Sequence, residues 1–128
     1  MRTLALLLAF PATAMAQEPD CTAPQTQADM TQCAGIAFKM ADEDLNLAYR
    51  LALKTYGDFE TDEPEAGKGG VEALKQAQRA WITFRDAACA VEAWPYRGGS
   101  IEPMVVANCM ERLTRVRTED LRLIGETN

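Results

Sequence analysis

No histidine occurs among the 128 residues. The commonest general base at neutral pH and the commonest nitrogen ligand for a metal are therefore missing. No Cys-x-x-Cys pair occurs either, which argues against a thiol oxidoreductase and a zinc ribbon. Stretches that alternate apolar and polar residues are absent, so no strand is expected. There is no internal repeat and no low-complexity tract. Basic residues are outnumbered, 13 Lys and Arg against 19 Asp and Glu, for a net charge of −6. An acidic chain argues against nucleic acid and anionic membrane surfaces, and it suits a basic partner.

What is present begins with a targeting signal. Arg2, the apolar run Leu4 to Phe10, and Ala14-Met15-Ala16 read as a cleavable secretory signal over residues 1–16. The apolar run is too short for a membrane span. Gln17 follows the expected cut, and Cys21 comes only later, so no lipid anchor is expected. Residues 17–128 should form one small domain, periplasmic or secreted, one unit more negative once Arg2 is lost. Its four cysteines, Cys21, Cys33, Cys89 and Cys109, read as two disulfides in an exported chain. Pairing 21–33 with 89–109 is preferred over the other two connectivities. Cys21 can fold back on Cys33, while Cys89 and Cys109 flank a Gly-Gly turn.

The periodicity is helical throughout. Thr26 and Asp29 form a capping-box pattern that opens helix 1. Met30, Ala34, Ala37, Phe38, Ala41, Leu45, Ala48, Ala52 and Tyr56 give it one apolar stripe. Gly57 is expected to end it. Asp58 to Gly70, with Asp58, Glu60, Asp62, Glu63 and Glu65, reads as a mobile acidic loop. Helix 2 is expected from about Val71 to Ala93, where Trp94-Pro95 stops it. Its core face should carry Leu74, Ala77, Trp81, Phe84, Ala88 and Val91. Gln78, Ile82, Arg85 and Cys89 should form a flanking seam, with Arg79 and Asp86 pointing away. Tyr96-Arg97-Gly98-Gly99 makes a turn and Ser100 should cap helix 3, which runs to about Leu123 through Val105, Cys109, Leu113, Val116 and Ile124.

The expected fold is all-α, an antiparallel three-helix bundle stapled by two disulfides. Register from the turns puts Asp42, Asn46, Gln78, Arg85, Thr114 and Arg117 in one structural polar layer across mid-bundle. If Asp42 is buried there, Arg85→Met should cost about 3–5 kcal/mol by stranding its charge. No catalytic residues are expected. The available carboxylates, Asp42 and Asp86, have no histidine and no nucleophile motif beside them. No metal or other cofactor is expected, since Asp42, Glu43 and Asp44 diverge on a helix and no loop has calcium-ligand spacing. Two surfaces stand out for a partner. One is acidic: Asp58, Glu60, Asp62, Glu63 and Glu65. The other is the turn with Trp94, Tyr96, Arg97 and Ser100, whose first three are of types enriched at binding hot spots.

The order and spacing of these residues resemble a known family. The pattern is Cys21, Thr26-Gln27 and Cys33, then Asp42, Leu45-Asn46 and Tyr49. It continues through Leu74, Gln78-Arg79-Ala80-Trp81-Ile82, Phe84-Arg85-Asp86 and Cys89, then Tyr96, Gly98-Gly99-Ser100, Cys109, Thr114, Arg117 and Leu121. It is similar to the LprI-like lysozyme inhibitor family of exported, mainly bacterial envelope proteins. The resemblance covers nearly all of residues 17–128. It implies a small helical domain that binds and blocks lysozyme or a related muramidase, with a cationic lysozyme or cell-wall hydrolase as partner. The other reading of the same residues is a non-enzymatic periplasmic accessory module with some other target.

Overall fold

The computed structural model describes residues 18–126, so the expected signal segment lies outside the described residues. The chain forms α1 (Gln27–Asp62), α2 (Gly70–Ala93), a turn of 3-10 helix (Trp94–Tyr96) and α3 (Glu102–Glu126). It is an up-down-up, all-α bundle with no strand among the described residues. Two disulfides join Cys21 to Cys33 and Cys89 to Cys109.

α1 starts where its local chemistry directs. The Thr26 hydroxyl accepts from the Asp29 backbone N–H, and the Asp29 carboxylate accepts from the Thr26 N–H, both at 3.1 Å. Its buried face is almost all alanine: Ala34, Ala41, Ala48 and Ala52, with Leu45 among them. Such small side chains let another backbone come close. α3 occupies that place, running parallel to α1 and packing on it far more extensively than α2 packs on either.

Gly57 does not end α1, which continues to Asp62. A mid-helix glycine costs only about 1 kcal/mol, and neighbours offset that. Lys54 pairs with Asp58 at 2.5 Å, and the Thr61 hydroxyl donates to the Gly57 carbonyl at 2.9 Å. The helix stops at Pro64, which pushes Glu63 out of the helical region. The acidic stretch is therefore no mobile loop: half of it is helix, and the rest folds back. The Gly67 N–H donates to the Glu63 carbonyl at 2.7 Å, and Gly67 is buried so close to α1 that a Cβ would sit 2.7 Å from the Phe59 carbonyl oxygen.

Glu60 has a structural task that its neighbours lack. Its Oε1 accepts from the Val71 N–H at 2.8 Å, capping α2, whose own N-cap, Gly69, has no side chain to do so. Glu60→Ala is expected to lower thermal stability by about 1 kcal/mol, the usual worth of such a cap. Glu65→Ala, at an exposed residue, should change it little.

α2 lies turned by nearly one residue step, about 100°, from the expected orientation. Its buried residues are Leu74, Gln78, Arg85, Cys89 and Ala93. Phe84 is 61% exposed and Val91 71% exposed, and Ala77 is exposed too. Gln78, Arg85 and Cys89 of the expected seam thus face inward while its Ile82 is exposed, and much of the expected core face looks at solvent. The cause is covalent. Cys89 is bonded to Cys109 on α3, so the stripe containing Cys89 must face the bundle. α3 shows a smaller departure of the same kind: Thr114, Thr118 and Leu121 are buried while Val116 is exposed. It begins at Glu102, so Ser100 is not its cap.

The core sits toward the α1–α2 end. Leu45, Ala48, Ala52, Leu74 and Leu121 form it, with Tyr49, Leu53, Tyr56, Trp81 and Ile124 packed around. The other end is held by the disulfides. Between the two lies the buried side chain of Arg85.

Candidate functional site

Arg85 is 7% exposed. Its guanidinium lies between the Phe38 ring, 5.3 Å away, and the Trp81 ring, 5.2 Å away, within cation–π range of both. It bonds the Asp86 carboxylate at 2.9 Å, donates to the Thr114 hydroxyl at 3.4 Å and lies 3.7 Å from Asp42. The Asn46 amide donates to Asp42 at 3.2 Å. Separately, Arg117 Nε donates to the Gln78 side-chain Oε1 at 3.1 Å. The six residues expected in one layer thus fall into two groups. Asn46, Asp42, Arg85 and Thr114 form one, and Gln78 with Arg117 forms the other. Asp86, expected to point away, gives Arg85 its shortest contact. A cation held between two carboxylates is a paired structural element and has no nucleophile–base pair beside it.

The two candidate partner surfaces lie at opposite poles, because α2 runs the length of the bundle between them. At the α1–α2 pole, Asp58, Asp62 and Glu63 line a half-open depression of about 540 Å³ together with Thr55, Phe59 and Gly125. The C-termini of α1 and α3 both end here, and neither has a basic residue in its last turn. Their partial negative charges add to those of the carboxylates. Glu65 is exposed beside them, whereas Glu60 is committed to α2.

The other pole is the turn between α2 and α3. Trp94 is 62% exposed, and Tyr96 and Arg97 are exposed with it. The Arg97 guanidinium stacks over the Trp94 indole at 4.5 Å. Gly98 takes φ +79, where glycine is unstrained, and its N–H donates to Glu102 at 2.6 Å. Ser100 is exposed. Among the described residues no cluster of His, Cys, Asp and Glu is arranged to hold a metal, and no helix is long and apolar enough to cross a membrane.

The profile of the family described as lysozyme inhibitor LprI matches residues 19–121. The chain belongs to the LprI family. An uncharacterized protein of Rhizobium meliloti (strain 1021) is 41% identical over 132 residues, covering 98% of this chain and 92% of that protein. The crystal structure of a DUF1311 family protein from Pseudomonas putida KT2440 superposes with a TM-score of 0.71 at 26% identity. It covers 80% of this chain and 97% of that one.

In this LprI-family chain one surface feature escaped the sequence reading. Phe84 and Val91, read as core, join Trp94 on the outside of α2. The signal that could have found it was the cysteine. Once Cys89 is paired with Cys109, the stripe one residue step away must be outside.

Proposed function

We propose that this chain is an exported, non-enzymatic protein that binds and blocks lysozyme or a related muramidase. The match of residues 19–121 to the lysozyme inhibitor LprI family carries the reading. The two disulfides fit a chain that works outside the reducing cytosol. The charge of −6 fits a cationic target, because complementary charge raises the association rate. The acidic pole with Asp58, Asp62, Glu63 and Glu65 is the steering surface in this reading. Trp94 and Arg97 are the candidate anchors at the other pole, exposed and already stacked on one another.

The test is the turnover of a c-type lysozyme with and without the purified protein. Inhibition is expected at micromolar concentrations in low salt, and it should weaken as salt screens the acidic pole. Replacing Asp58, Asp62, Glu63 and Glu65 by their amides should slow association, while Trp94→Ala should speed dissociation. No inhibition of lysozyme or of periplasmic muramidases at micromolar concentration would overturn the proposal, and an accessory role with another target would take its place.

A further inference from the structure

The outward face of α2 is without charge along its length. Ala77, Ala80, Phe84, Ala87 and Val91 are all exposed on it, and Trp94 extends it past the helix end. Soluble monomers rarely leave so continuous an apolar strip in water unless something binds it. Charged side chains lie only to its sides, and those on α2 other than Lys75 are already paired: Glu72 with Arg79, Asp86 with Arg85, and Glu92 with Arg112. The Arg79 hydrogen bond holds the Glu72 carboxyl below its usual range.

We infer that this face pairs with the same face of a second copy, the two α2 helices antiparallel about a two-fold axis near Phe84. Charge selects this occupant. A strongly cationic partner gains most at the acidic pole, whereas a second acidic copy meets least repulsion where the flanking charges are neutralised. The strip is also self-complementary, as a two-fold interface requires. Val91 and Ala77 lie on either side of Phe84 at about the same 10 Å along the axis. An antiparallel copy therefore sets the large residue of one helix over the small residue of the other. Ala80 meets the Ala87–Ala88 step in the same way, and Trp94 reaches the alanine at position 73.

The same arrangement places the two acidic poles at opposite ends of the dimer. It brings Arg97, which has no ion pair among the described residues, to the height of the other copy's Glu72 end. The area suffices for a weak dimer. Each copy offers two aromatic side chains, at 61% and 62% exposed. An aromatic residue carries about 150–250 Å², so with Val91 and the alanines the pair buries about 1,000 Å², the lower bound for a specific interface. This inference does not rest on the lysozyme reading, and because both use Trp94 and Arg97, a second copy and a lysozyme compete for that end of the strip.

Sedimentation equilibrium of the exported chain, from about 1 to about 500 μM, tests it at the affinities such an area supports. The wild-type chain is expected to move from monomer to dimer across that range. Phe84→Glu and Val91→Glu should each weaken association at least about tenfold with an unchanged melting temperature. Leu123→Glu, at an α3 residue equally exposed, should leave association unchanged. A wild-type chain that stays monomeric throughout, or a Leu123→Glu variant as impaired as Phe84→Glu, would overturn the pairing. A monomeric wild type whose lysozyme inhibition is lost with Phe84→Glu would overturn it too, by assigning the face to the other protein.

Discussion

Asp42→Ala combined with Asp86→Ala is expected to destabilise the fold by about 3 kcal/mol, whereas Arg85→Met is expected to cost less than about 1.5 kcal/mol. The asymmetry follows from who is buried. Arg85 is enclosed by Phe38 and Trp81, and its side chain is 9% exposed. Removing both carboxylates leaves that cation with two rings and one hydroxyl. Removing Arg85 leaves carboxylates 44% and 50% exposed, which water can solvate. Methionine also fills much of the vacated space and packs well against aromatic edges. The large cost expected for Arg85→Met from the sequence assumed a buried Asp42, and the exposure of Asp42 reverses which substitution is severe. Urea unfolding of the two variants, with the triple variant closing the cycle, measures it. Equal losses for both would refute this account of Arg85.

Loss of the Cys89–Cys109 bridge should have an effect of similar size, about 3 kcal/mol for Cys89→Ala with Cys109→Ala, from the greater freedom of the unfolded chain. Both cysteines are fully buried, and their bond fixes the rotation of α2 on which the burial of Arg85 depends. Cys21→Ala with Cys33→Ala should cost less than about 1 kcal/mol. That bridge ties only the segment before Thr26 to the first turns of α1, and removing it frees the segment in the native state as well as in the unfolded one. Thermal melts of the two double variants distinguish them. If the 21–33 variant melted as low as the other, the N-terminal segment would be integral to the bundle.

Local signals were read correctly where local physics decides. The Thr26–Asp29 cap, the three helices and the cysteine pairs all follow from near neighbours, turn position and export chemistry. Gly57 misled because its cost is small and tertiary packing plus the Lys54–Asp58 pair exceed it. The face of α2 misled for a different reason. Trp81, Phe84, Ala88 and Val91 form a good apolar stripe, and only a bond to a distant residue shows that a neighbouring stripe is the one inside. The candidate surfaces were legible as residue types, but not as places. Nothing local shows that Glu60 caps α2 while Asp58, Asp62 and Glu63 stay available, or that the acidic residues and Trp94 lie at opposite poles.

The intimate contact between α1 and α3 bears on how the chain reaches its final state. Leu45 and Leu121 share one cluster, so the best-packed surface joins the beginning of the chain to its end. Loops of that length must close before the contact is rewarded, which slows folding relative to a bundle of sequential hairpins. The alanine face of α1 has no well-packed partner until α3 is in place, so α1 and α2 alone hold little of the contact that stabilises the bundle.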